Sequence, residues 1–153
     1  MNAIDIEMAC VRLLEPRANF ILPNVSWSMF QHECDLLVIS KNKIAREIEI
    51  KTNKYDLKKD REKKHNHCSK KIQYLYYAVP ENLQNYALSI IYDYAGLIVV
   101  TEREIGDFRY EAKYVRKAKK RNNNYVWHEY NLFRLAHLAM MRYWNLRKKL
   151  YMD

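Results

Sequence analysis

Polar and apolar residues alternate in two neighbouring runs, Glu33-Cys34-Asp35-Leu36-Leu37-Val38-Ile39-Ser40 and Ile44-Ala45-Arg46-Glu47-Ile48-Glu49-Ile50-Lys51. A two-residue period of this kind predicts half-buried strands. Asp35 shares a face with Glu33, Leu37 and Ile39, and Glu49 shares one with Glu47 and Lys51. The connection Lys41-Asn42-Lys43 is short enough for a hairpin. Centred on Asn42, that hairpin sets Asp35 opposite Glu49 and Glu33 opposite Lys51.

The flanking pattern predicts the remaining elements. Ile4 to Leu14 reads as an amphipathic helix with Ile4, Met8, Val11 and Leu14 on its buried side, stopped by Pro16. Asn19 to Ser28 is β-prone and interrupted by Pro23, which suits an edge strand with Trp27 packed nearby. After the hairpin, Asn53 is placed to cap a charged helix from Lys54 to about Lys64. Asp56, Asp60, Lys63 and Lys64 fall on one side of it. They face the hairpin's charges or form a solvated ladder of ion pairs, the ladder being the expectation for Asp56 and Asp60. Ile72 to Val79 predicts a strand ended by Pro80, Glu81 to Ala87 a short helix, and Gly96 to Thr101 a strand buried on both faces. Phe108 to Val115 predicts a further strand. The basic run Lys117 to Arg121 with Asn122-Asn123-Asn124 reads as a mobile loop, either solvated or in contact with DNA. A long final helix opens at Trp127 or His128, with Leu132, Leu135, Ala136, Ala139, Met140 and Tyr143 as its buried stripe. Its basic end, Arg147-Lys148-Lys149, suits the negative end of a helix dipole.

At 153 residues the chain predicts one domain, 1–153, with one core. No apolar run approaches a membrane span and Met1 to Arg12 lacks a signal-peptide pattern, so a cytoplasmic location without membrane contact is expected. Cys10, Cys34 and Cys68 are an odd number without metal-finger spacing, as expected of reduced thiols. Two glycines, Gly96 and Gly106, are too few for a phosphate-cradling glycine loop, which excludes nucleotide-dependent enzymes of those classes. His65-Asn66-His67-Cys68 does not read as a zinc site, because ligands two apart do not share a helix face. Most of the 13 tyrosines are expected in the core.

The net charge of +9 suits a polyanionic partner. Much of it follows the hairpin directly, in Lys51, Lys54, Lys58, Lys59, Arg61, Lys63, Lys64, Lys70 and Lys71. The acidic pair adds chemistry to that charge. Carboxylates directly across a strand pair stand about 4.5–5.5 Å apart at Cβ and repel. A divalent ion, Mg²⁺ or Mn²⁺, held by Asp35, Glu49 and the Ile50 carbonyl, would account for them. Lys51 would then orient a water or stabilise charge developing on a phosphate. The reaction so implied is metal-assisted hydrolysis of a nucleic-acid backbone, with Lys63, Lys64 and His67 as candidate phosphate contacts.

Further segments join these residues: Tyr55-Asp56-Leu57-Lys58-Lys59-Asp60-Arg61-Glu62-Lys63-Lys64-His65, Tyr76-Tyr77-Ala78-Val79-Pro80-Glu81 and Tyr94-Ala95-Gly96-Leu97-Ile98-Val99-Val100. Together with the hairpin they resemble the PD-(D/E)xK nuclease superfamily, most of all the small MmcB-like DNA-repair endonucleases and their phage relatives. The resemblance runs from about the first helix to Val100. It implies an α/β restriction-endonuclease-like fold, an αββαβ core with a mixed central sheet flanked by helices. It further implies Asp35 and Glu49 as metal ligands, Lys51 as the catalytic lysine, and DNA as the substrate. Glu7 matches the carboxylate that many members carry on the first helix. Cys34 stands where the superfamily's name has proline. Cutting both strands of a duplex with one site per chain would favour a homodimer. The alternatives are a non-catalytic nucleic-acid-binding module on the same basic surface, and a partner-binding protein that dimerises through its final helix.

Overall fold

The computed structural model describes residues 1–26, 33–62, 69–104, 106–121 and 123–152. The elements run α1 (Ala3–Leu13), β1 (Phe20–Val25), β2 (Cys34–Ile39), β3 (Ala45–Ile50), α2 (Lys54–Arg61), β4 (Tyr74–Pro80), α3 (Gln84–Ile90), β5 (Gly96–Glu102), β6 (Tyr110–Arg116) and α4 (Glu129–Met152). A 3₁₀ turn, Glu81–Leu83, leads into α3. The protein is α/β, with a six-stranded mixed sheet in the order β1-β2-β3-β4-β5-β6. The central steps β3–β4 and β4–β5 are parallel and the outer pairings antiparallel. Parallel neighbours need a crossover. Here α2 supplies the first and α3 the second, and both pack on one face through Leu57, Leu83 and Ala87 against Leu75, Tyr77, Val79, Leu97 and Val99. The opposite face carries α1, set on Ile48, Ala78, Ile98 and Val100. No described helix is long and apolar enough to cross a membrane.

The hairpin register agrees with the expectation. Leu36 pairs Ile48 and Leu37 pairs Glu47, and the next positions outward on the two strands are Asp35 and Glu49. β1 is an edge strand and keeps Pro23 opposite Leu36. Asn53 caps α2, its side chain accepting from the Asp56 N–H at 2.9 Å. Asn2 and Asp5 form a capping box on α1.

Several expectations are corrected. The buried side of α1 is Ile6, Ala9, Cys10 and Leu14, while Ile4 and Met8 are exposed. Small Ala9 and Cys10 let the helix approach the sheet closely, which turns Ile4 and Met8 outward. On α4, Leu135 is buried and Leu132, Leu138 and Ala139 are partly so, but Ala136, Met140 and Tyr143 are exposed. Only the first half of α4 meets the sheet, beside Trp127, Leu22 and Leu37. Arg142 fixes the departure point by donating to the Pro23 and Asn24 carbonyls, and every described residue from Tyr143 onward is exposed. The tyrosines follow the expectation: Tyr76, Tyr77 and Tyr110 are buried, and Tyr74, Tyr86, Tyr92, Tyr94 and Tyr125 are partly buried against the core clusters. Lys54 and Arg61 of α2 lie over the rings of Tyr86 and Tyr92. The basic run after β6 is pinned, not free: the Lys119 N–H donates to Tyr94 and the Arg121 N–H to Gln73. Trp27, Lys63, Lys64, His65, His67 and Cys68 lie outside the described residues.

Candidate active site

β2 and β3 bring Asp35 and Glu49 side by side on the α2 face, and Lys51 leaves the end of β3 on that same face. Its ammonium lies 2.6 Å from Glu49 Oε2, 3.3 Å from Asp60 Oδ1 and 3.6 Å from Asp35 Oδ2. One cation thus faces three carboxylates. Glu49, Asp60 and Lys51 are buried, whereas the Asp35 side chain is 34% exposed. The group is therefore sealed on its inner side and opens at Asp35. That opening is a cavity of about 250 Å³ lined by Asp35, Ile50, Lys51, Asp56, Lys59 and Asp60.

Asp35 is oriented by the main chain, its Oδ2 accepting from the Ile50 N–H at 2.8 Å. The N–H and C=O of a residue in an extended strand point to the same side, so the Ile50 carbonyl also faces Asp35. The Lys51 N–H points the other way, to the Ala78 carbonyl at 3.0 Å.

Asp60 corrects the solvated-ladder expectation. It is 1% exposed, its Oδ2 accepts from the Tyr77 hydroxyl at 2.9 Å, and its Oδ1 faces Lys51. The signal in the sequence was Leu57 three residues earlier, because a residue at i+3 from the apolar anchor of a charged helix shares its buried face. Tyr77 reaches Asp60 because parallel pairing sets Tyr77 beside Glu49. Asp56 stays at the cap of α2, within the cavity wall. Glu33 is exposed and is not among the partners of Lys51. The chain turns away after β3, and Lys51 folds inward instead of continuing the ladder.

Charge states follow from this packing. Burial pulls the Lys51 ammonium toward neutrality, but Glu49, Asp35 and Asp60 outweigh it and hold its pKa above the usual lysine value. Lys51 is therefore a cation, suited to stabilise negative charge and unsuited to act as a base. Burial, then Asp60, keeps the Tyr77 hydroxyl protonated. Burial, then the Asp35 carboxylate, raises the pKa of Glu7, so Glu7 on α1 lies within electrostatic reach of Asp35. Burial, then Glu47 and Glu49, holds the Cys34 thiol protonated, and that thiol hydrogen-bonds Glu47. Cys10 and Cys34 are both buried free thiols, with Cys10 pushed up to about 12 by burial and Glu7.

The donor set is hard carboxylate and carbonyl oxygen, which fits a small divalent cation. Among the described residues, however, no group of three or more His, Cys, Asp or Glu side chains is arranged to hold a metal ion. A cation here would rest on Asp35, Glu49 and the Ile50 carbonyl, competing with Lys51 for Glu49.

No protein-family model matches the chain, and no curated protein does. Among solved structures, a protein of unknown function from Silicibacter pomeroyi is similar in fold, with a TM-score of 0.73 and 15% identity over 96% of this chain and 92% of that one. The likeness extends over nearly the whole architecture and concerns the fold alone.

Proposed function

We propose that the protein is a divalent-metal-dependent deoxyribonuclease built on a restriction-endonuclease-like core. The observation that carries this reading is the convergence of Asp35, Glu49 and Lys51 at the open end of β3. The succession α1, β2, β3, α2, β4 supports it, since this is the order of the αββαβ core. So does the electrostatic reach of Glu7, on the first helix, to Asp35.

Asp35, Glu49 and the Ile50 carbonyl would hold Mg²⁺ or Mn²⁺. When bound, such an ion supplies Lewis acidity toward a phosphodiester and a water of lowered pKa. The protein's own residues do the positioning. The Ile50 N–H fixes the Asp35 carboxylate, and Lys51, held cationic, donates hydrogen bonds to charge developing on the phosphate. Asp60 and Tyr77 keep the lysine from swinging away. Lys59 lines the cavity and is placed to meet a neighbouring phosphate. DNA is the proposed partner, and a homodimer would provide a site for each strand.

The alternative is a module that binds nucleic acid without cutting it. One observation favours it: Lys51 already neutralises Glu49 at 2.6 Å. The deciding experiment is cleavage of duplex, single-stranded, branched and damaged DNA with Mg²⁺ or Mn²⁺. Wild type is compared with Lys51→Ala and Glu49→Ala, with binding followed separately. Metal-dependent cutting that both substitutions abolish, while binding persists, supports the nuclease. Salt-sensitive binding with no cutting on any substrate supports the module. Neither binding nor cutting overturns both.

A further inference from the structure

The opposite face of the sheet carries a second cavity, at the other end of β3. Arg46 lies on the α1 face of that strand, since Glu47, Glu49 and Lys51 occupy the other. Parallel pairing puts Tyr74 beside Arg46 and Tyr76 beside Ile48, while β6 brings Tyr114 against Ile98. α1 covers Ile48, Ala78, Ile98 and Val100, which leaves the beginnings of β3 and β4 uncovered. The resulting cavity is about 410 Å³ and is lined by Arg46, Tyr74, Tyr76, Tyr114 and Lys117 together with small aliphatic surface. Among the described residues, three tyrosines and two cations line it, with no carboxylate.

The floor depends on a glycine. Tyr76 lies on Gly96, where a Cβ would enter its ring and come within 2.7 Å of the Ala118 nitrogen. One of the chain's two glycines is thus required for this ring to lie flat. Tyr114 meets Tyr76 edge to face, ring centroids 5.4 Å apart, and stays 38% exposed, so part of its ring remains open to a ligand. Beyond Lys117 the pinned basic run carries Lys119 and Lys120, both exposed, past the beginnings of β5 and β4.

We infer that this cavity binds one nucleotide unit, its base laid against the tyrosines and its phosphate on Arg46 and Lys117. A purely apolar ligand would leave the cations unmatched, and a bare anion would leave the aromatic wall unused. The volume suits a small planar ligand, and tyrosine beside arginine or lysine is the chemistry that holds unpaired bases. Lys119 and Lys120 extend the charge in one direction, which favours a nucleotide within a single strand over a free mononucleotide.

The test is binding measured in EDTA, so that it stands whether or not the other site cuts DNA. The probes are a thymidylate oligomer of roughly six nucleotides, the mononucleotide dTMP, thymidine and inorganic phosphate. The variants are Arg46→Gln with Lys117→Gln, Tyr114→Ala, and a control pair, Lys148→Gln with Lys149→Gln, which removes equal charge at the exposed end of α4. Binding of the oligomer or dTMP is expected to fall about tenfold or more in the first pair and several-fold in Tyr114→Ala, and to stay within about twofold in the control. Oligomer binding far tighter than dTMP identifies a strand, and comparable binding identifies a free nucleotide; both support the site. Equal losses in the two charge-removing pairs, phosphate binding as well as dTMP, or no binding of any nucleotide probe would each overturn it. Unchanged far-UV circular dichroism guards against misfolding of a variant.

Discussion

Replacing Lys51 by methionine removes one charge from a buried group and almost no volume. At an effective dielectric near 20, unit charges at the 2.6, 3.3 and 3.6 Å separations found here attract by about 5–6 kcal/mol each. Desolvation of the ammonium and repulsion among the carboxylates cancel most of that gross attraction. What survives is the cost of taking the one ammonium away from buried carboxylates, about 3–5 kcal/mol where one member of a buried pair is removed. For a chain of this size each kcal/mol moves the midpoint by roughly 2–4 °C, so Lys51→Met is expected to lower Tm by roughly 6–20 °C in EDTA at neutral pH. The pH dependence has a definite sign. Lys51 has a folded pKa above its ordinary 10.5, so its stabilisation is fully present below that value and is lost as pH rises through the folded pKa. The Tm gap between wild type and variant should therefore hold through mildly alkaline solution and close only beyond it. A second measurement joins stability to the proposed chemistry. With the ammonium gone, the carboxylates should take Mn²⁺ more readily, so added Mn²⁺ should raise Tm further in Lys51→Met than in wild type. Circular dichroism melts with and without metal read both effects. A Tm within about 2 °C of wild type in EDTA would refute the reasoning, because it would mean the lysine does not neutralise the buried acids.

Tyr77→Phe keeps the ring and deletes the hydroxyl that donates to Asp60; urea unfolding should report a loss of about 1.5–3 kcal/mol, as for a hydrogen bond to a charged group. Glu7→Gln should stabilise the protein at neutral pH. The raised folded pKa of Glu7 means its charged form opposes folding above that pKa, so the gain should vanish as pH falls below the ordinary glutamate value of 4.5, which a series of melts across acidic pH would show. Gly96→Ala should cost about 1–3 kcal/mol through overpacking against Tyr76 and Ala118. Adding Tyr76→Leu should recover only the share due to the ring, as thermal melts would show, because the approach to the Ala118 backbone nitrogen remains.

The hairpin is legible in the sequence because its information is local. A two-residue alternation and a short turn suffice to set Asp35 against Glu49, and the observed register follows that pattern. The cap at Asn53, the edge character of β1 around Pro23 and the buried run at β5 are readable for the same reason, each resting on residues a few positions apart. Asp60 shows where such reading stops. Its neighbours in sequence are charged, and only the crossover from β3 to β4 carries α2 over Lys51 and Tyr77, turning a seemingly solvated aspartate into a buried one. Glu33, opposite Lys51 by simple register, stays outside because the ladder ends and the lysine turns inward. Helix faces are likewise settled by packing: Ile4, Met8 and Tyr143 satisfy a periodic pattern, but Ile6, Ala9, Cys10 and Leu135 make the contacts with the core, leaving the first three exposed. The tyrosine-lined cavity has no local signature at all. Arg46, Tyr74, Tyr76, Tyr114 and Lys117 come from three strands and the segment after the last one, and only the register of the sheet makes them neighbours.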